Sequence, residues 1–126
     1  MAYILIADDD DILVDMIRLR LNGHGHHIEV AADGEAALDA VSRQRPDIII
    51  LDMMMPILSG SEVLSELKAK PETQDIPVIM LTSRSGEADI VQALKAGVDD
   101  YLTKPFIPQE LIARIDKLLM KYKNDG

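Results

Sequence analysis

The chain has 126 residues, 48% of them hydrophobic, and carries 13 Lys and Arg against 22 Asp and Glu, a net charge of −9. That size suits one domain around a single core, and the acidity, with one Phe and three Tyr, argues against direct binding of nucleic acid. No stretch reaches the roughly 18 apolar residues of a membrane span, no basic segment and apolar core open the chain, and the lack of cysteine excludes disulfides, so a cytoplasmic protein that touches no membrane is the expectation.

Short β-like runs alternate with longer helical ones. The predicted strands are Ile4–Ala7, His27–Ala31, Asp47–Leu51, Pro77–Leu81 and Asp99–Leu102. The third and fourth are continuously apolar, as strands buried on both faces should be. Between them, apolar residues three and four apart predict helices. Leu13, Met16, Ile17 and Leu21 mark the first, and Ala37, Leu38 and Val41 the second. Val63, Leu64 and Leu67 mark the third, and Ile90, Val91 and Leu94 the fourth. Leu111, Ile115, Leu118 and Leu119 mark the fifth. Asp33-Gly34 opens the second helix, Gly97 stands where a left-handed cap closes the fourth, and Pro108 fits the first turn of the fifth. His24 to His27, with a glycine among them, read as a turn rather than a metal site. Strict β-α alternation without repeat or linker predicts one α/β domain over residues 1–126, a parallel sheet with helices on both faces.

Such sheets bind ligands beyond the carboxyl ends of their strands. Four aspartates, Asp8 to Asp11, follow the first strand, Asp52 the third, Thr82-Ser83 the fourth and Thr103-Lys104-Pro105 the fifth. Acids, hydroxyls and one lysine therefore meet on one rim. Carboxylates crowded at the end of a buried strand should resist ionising together, which raises at least one pKa. Asp10 and Asp11 fall at the start of the first helix, where a side chain caps free N–H groups and a negative charge suits the dipole.

Four motifs stand in order along the chain: the Asp8-Asp9 pair, LDMMMP from Leu51 to Pro56, LTS from Leu81 to Ser83, and YLTKPF from Tyr101 to Phe106. Each alone is a weak signal. Together, at the ends of strands one, three, four and five, they resemble the receiver domain of two-component response regulators over essentially the whole chain. The resemblance implies the flavodoxin-like fold, five parallel strands in the order 2-1-3-4-5. It implies a signalling module rather than an enzyme in the ordinary sense, although receivers assist their own phosphorylation and dephosphorylation.

By the same resemblance Asp52 is the phosphoacceptor, a carboxylate that attacks phosphorus to form an acyl phosphate. Mg²⁺ is the implied cofactor, held by Asp9, Asp52 and the backbone carbonyl of Met54, with Asp8 acting through a bound water. Lys104 contacts the Asp52 carboxylate before phosphorylation and a phosphoryl oxygen afterwards, and the Lys104-Pro105 bond is cis. Thr82 is the hydroxyl that binds the phosphoryl group, and Tyr101 the aromatic that turns inward when Thr82 moves. Met54 and Arg84 occupy positions that tune phosphate lifetime. The implied donor is a histidine kinase or a histidine phosphotransfer protein. The implied readout is by an output domain, a downstream protein or a homodimer through the face of the fourth helix, fifth strand and fifth helix.

Two other classes share parts of this pattern. A haloacid dehalogenase-type phosphatase also pairs a strand-end Asp with Thr, Lys and Mg²⁺, but it needs a second Asp where this chain has Met54. A flavodoxin must cradle a flavin phosphate after its first strand, where Asp8 to Asp11 would repel it. A receiver that no longer accepts phosphate would lack an acid or the lysine, and both are present.

Overall fold

The computed structural model describes residues 2–83, 91 and 94–125. Its strands are β1 (Tyr3–Ala7), β2 (His27–Ala31), β3 (Ile48–Asp52), β4 (Val78–Ser83) and β5 (Asp100–Lys104). They form one parallel sheet in the order β2-β1-β3-β4-β5. Helix α1 (Asp11–Gly23) follows β1, α2 (Gly34–Arg43) follows β2, α3 (Gly60–Lys68) follows β3, and a C-terminal helix (Pro108–Asp125) follows β5. Most of the stretch predicted as a fourth helix, Ile90 among it, lies outside the described residues, as does Arg84. Val91 and Leu94, read as its apolar face, are half exposed.

Alternation at period two divides the continuous apolar strands between two cores. Leu5, Ala7, Ile49, Leu51, Val78 and Met80 pack with Ala37, Ala40 and Val41 of α2 and with Val63, Leu64 and Leu67 of α3. Ile4, Ile6, Ile48, Ile50, Ile79, Leu81 and Leu102 pack on the other face with α1 and the C-terminal helix. On α1 the buried residues are Val14, Ile17 and Leu21. Met16, predicted to face the core, is 46% exposed instead. Nearly every position of that helix from Ile12 to Leu21 that lacks charge is apolar, so spacing alone left its phase open.

Three helix starts are capped by side chains. Asp10 accepts the N–H of Leu13 at 3.1 Å and Asp33 that of Ala36 at 2.8 Å. Ser59 and Glu62 form a reciprocal capping box at the start of α3. The cap of α1 is thus Asp10, while Asp11 is the first helical residue and offers only its charge to the dipole. Gly97 has φ +98 and its N–H donates to the Leu94 carbonyl, the left-handed closure expected there. Gly25, at φ +84, turns the chain between α1 and β2. His26 Nδ1 accepts the Ala2 N–H and the His27 ring stacks on Tyr3, so both imidazoles serve this turn.

Candidate functional site

Asp8 and Asp9 follow β1, whereas Asp52, Thr82 and Lys104 lie within the ends of their strands. Asp52 pairs with Leu81, Thr82 with Thr103, and Ser83 with Lys104 in the sheet ladder. The Met53 N–H adds a bond to the Leu81 carbonyl at 2.8 Å. Strands three, four and five each run one or two residues further than predicted, because a polar side chain does not prevent its backbone from pairing. The consequence is rigidity: Asp52, Thr82 and Lys104 each hang from a hydrogen-bonded backbone.

Among the described residues the buried polar or charged side chains are Asp8, Asp52 and Thr82, at 1%, 5% and 2% exposure. All three lie at this one rim. Asp8 Oδ1 accepts the Asp10 N–H at 2.9 Å, and its Oδ2 accepts from Lys104 Nζ at 3.0 Å. Lys104 Nζ also stands 3.6 Å from Asp52 Oδ2, so it faces both carboxylates, with Asp8 the closer. Asp52 Oδ1 accepts the Met54 N–H at 3.3 Å. The Lys104-Pro105 bond is cis.

These contacts set the charges. Burial pushes the Asp52 pKa up to about 6, and the neighbouring Asp8 charge adds to the rise; Lys104 and the Met54 N–H oppose it. Burial works to lower the Lys104 pKa, but its hydrogen bond to Asp8 and the charges of Asp52 and Asp8 outweigh it, leaving the ammonium raised above its ordinary value. The elevation expected from crowded carboxylates thus falls on Asp52.

Asp8, Asp9 and Asp52 each offer a carboxylate oxygen, all within 4.8 Å of one another. Among the described residues this is the one such grouping of three or more His, Asp or Glu ligands, and His24, His26 and His27 belong to none. Three hard oxygen donors, one of them exposed, fit a cation such as Mg²⁺, Ca²⁺ or Mn²⁺ rather than a soft metal.

Tyr101 pairs with Met80 in the ladder and is half-buried against the α2–α3 core. Its neighbour Asp100 receives Arg114 Nη1 on both carboxylate oxygens at 2.8 Å, which ties β5 to the C-terminal helix. Met53 and Met55 pack on the core, whereas Met54 is 70% exposed. Residues 53–60 carry a feature that composition hides. Ile57 adopts φ +71 inside a tight turn closed by the Leu58 N–H on the Pro56 carbonyl. A β-branched residue there is strained. Two glycines bracket this loop by close approach: a Cβ on Gly34 would collide with Leu58, and one on Gly60 with the carbonyl of Asp52. Asp33-Gly34 reads in the sequence as a helix start and Gly60 carries no such mark; the Ser59 to Glu62 capping pattern is the available signal for where α3 begins.

The family model described as response regulator receiver domain matches residues 4–116. Response regulator MprA of Mycobacterium leprae (strain TN) is 44% identical over 122 residues, covering 97% of this chain and 53% of that protein. The chain spans about half the length of the curated relatives it matches. Among solved structures, the receiver domain of the Francisella response regulator 1452 is 35% identical with a TM-score of 0.90, covering 97% of this chain and 99% of that one. The receiver domain of the sensor histidine kinase PA1611 from Pseudomonas aeruginosa PAO1, which has a magnesium ion in its active-site cleft, is 31% identical with a TM-score of 0.85. It aligns over 94% of this chain and 97% of that one.

Proposed function

The chain belongs to the response regulator receiver domain family, and from that premise we propose that residues 1–126 work as a phosphorylation switch with Asp52 as the acceptor. The observation that carries the reading is the setting of this carboxylate: buried, fixed in the ladder, and 3.6 Å from a lysine ammonium. An Asp52 oxygen attacks the phosphorus of a phosphohistidine, the P–N bond breaks, and a carboxyl phosphate forms. With its pKa near 6, Asp52 is mostly ionised at neutral pH and so is available as a nucleophile.

Asp9, Asp52 and the Met54 carbonyl would hold Mg²⁺, with Asp8 supporting it through water; the carboxylate grouping favours this donor set. When bound, the ion supplies positive charge for a phosphoryl oxygen. The chain's own contribution is Lys104, which already faces both acids and can pass from Asp8 to the incoming phosphoryl group. The buried Thr82 lies one ladder position beyond the Leu81–Asp52 pair and offers its hydroxyl to the same group.

The donor is a histidine kinase or phosphotransfer protein. Ile12, Met16 and Leu19, exposed at helical spacing along α1, give it an apolar surface beside the rim. Readout passes through Thr82 and Tyr101 to the face that includes β5 and the C-terminal helix, for an output domain, a downstream protein or a second copy. A cytoplasmic location goes with that role; among the described residues no helix is long and apolar enough to cross a membrane. Amide NMR with Mg²⁺ and beryllofluoride, a phosphoryl mimic, tests the switch. Shifts are expected around Asp9 and Asp52 and also from Val98 to Tyr101, and Thr82→Ala should keep the first set and weaken the second. Distant shifts that survive Thr82→Ala undiminished would show that Thr82 does not couple the site to Tyr101.

A further inference from the structure

We infer that Gly60 is a positioning residue for the Asp52 carboxylate, because only a residue without a Cβ lets α3 seat its first N–H on the backbone that orients that side chain. The Gly60 N–H donates to the Met53 carbonyl at 2.9 Å. This bond fixes the peptide between Met53 and Met54. The N–H on the far side of that peptide, Met54's, is the one that reaches Asp52 Oδ1 at 3.3 Å. A short relay therefore runs from the start of α3 to the acceptor oxygen.

The relay depends on a very close approach. A Cβ built on Gly60 would collide with the Asp52 carbonyl oxygen and lie 2.8 Å from Met53 Cα and 2.9 Å from the Asp52 carbonyl carbon. All three are backbone atoms, so no side chain can rotate away to make room. Nor can the strand retreat, since Asp52 is paired with Leu81 and the Met53 N–H is held by the Leu81 carbonyl. The helix must move instead. Its capping box keeps the first turn intact as it does so, and the bond that breaks is the one to Met53. The Met53–Met54 peptide is then free to rotate, and the Met54 N–H leaves Asp52.

The inference rests on Asp52 being the acceptor only for its importance; the geometry it claims is measurable without phosphorylation. Gly60→Ala is compared with Val63→Ala, which hollows the buried face of the same helix but adds no Cβ against the Asp52 and Met53 backbone. The parent and both variants are titrated with Mg²⁺ by amide NMR, at a temperature where all three are folded. Gly60→Ala should weaken Mg²⁺ binding by about tenfold or more, the scale of losing an orienting contact to a metal ligand. Its Met54 amide should move before any metal is added, while Val63→Ala stays within about twofold of the parent with its Met54 amide in place. Equal Mg²⁺ affinities in Gly60→Ala and the parent, or equal losses in the two variants, overturn the inference. Should Gly60→Ala not fold, the parent alone decides: a through-bond coupling between the Gly60 amide and the Met53 carbonyl is required, and its absence overturns the relay. Failure of the parent to accept a phosphoryl group would count against the proposed function and leave this comparison standing.

Discussion

Replacing Asp52 by asparagine should make the metal-free protein more stable at neutral pH. Folding raises the Asp52 pKa from 3.8 to about 6. Between those values the native state holds a proton that the unfolded chain has released, so this group's contribution falls as pH rises through the window. Above it the penalty is complete. Two pKa units correspond to about 3 kcal/mol, and some relaxation around the charge brings the expected gain of Asp52→Asn at pH 7.5 to about 2–3 kcal/mol. Asparagine keeps an oxygen for the Met54 N–H and turns its amide toward the Asp8 carboxylate, so no buried polar group is orphaned. Lys104 keeps Asp8 at 3.0 Å. Urea unfolding followed by circular dichroism, in the presence of a chelator, should show the variant's midpoint higher by roughly 1 M, given slopes of 1–3 kcal/mol per molar for small proteins. The gain should shrink to a small fraction toward pH 4, where the parent's Asp52 is protonated in the native state and close to half protonated in the unfolded chain. A variant no more stable than the parent at pH 7.5, or a gain unchanged at pH 4, would refute the reasoning that burial and Asp8 strain this charge.

Lys104→Met in chelator should cost roughly 3 kcal/mol at pH 7.5, because it strips the cation from two buried acids; a loss equally large at pH 4 would mean that packing, not charge, is at stake. Asp10→Ala should cost about 1 kcal/mol through the lost cap on Leu13, and Asp11→Ala only a fraction of that. Thermal unfolding compares the pair, and equal losses would contradict the assignment of the cap. Ile57→Gly should raise stability by about 1 kcal/mol, since relief of the left-handed strain exceeds the entropy cost of glycine. A lower melting temperature in that variant would indicate that the exposed Ile57 side chain makes contacts worth more than the strain.

The fold was legible because its signals are local and repeated. Short, β-branched apolar runs such as Ile48 to Leu51 suit strands covered on both faces, and the capping pattern Asp33-Gly34 marks where α2 begins. The phase of α1 was not legible, because Ile12, Leu13, Met16 and Leu19 give a helical spacing as good as that of Val14, Ile17 and Leu21, and only tertiary packing selects between them. At the rim, residue types could be read but not distances. The closer partner of Lys104 is decided by which acid the sheet brings within 3.0 Å, and that is Asp8, at the other end of the chain, with Asp52 at 3.6 Å. The strand ends ran past the prediction because the ladder pairs backbones, and Thr82 and Lys104 supply those as well as any valine would. Gly60 was opaque for a similar reason. The closeness that excludes a Cβ is a property of how α3 lies on β3, and nothing adjacent to Gly60 in the chain records it.

The central claim is that Asp52 takes the phosphoryl group, and direct labelling tests it. The protein is incubated with acetyl phosphate and Mg²⁺, and intact-mass spectrometry followed by borohydride reduction and peptide mapping locates the modified residue. The account predicts one phosphoryl group per chain, labile at alkaline pH as an acyl phosphate is, mapped to Asp52, dependent on Mg²⁺ and lost in Asp52→Asn. A label on another residue, or one retained in full by Asp52→Asn, would contradict it.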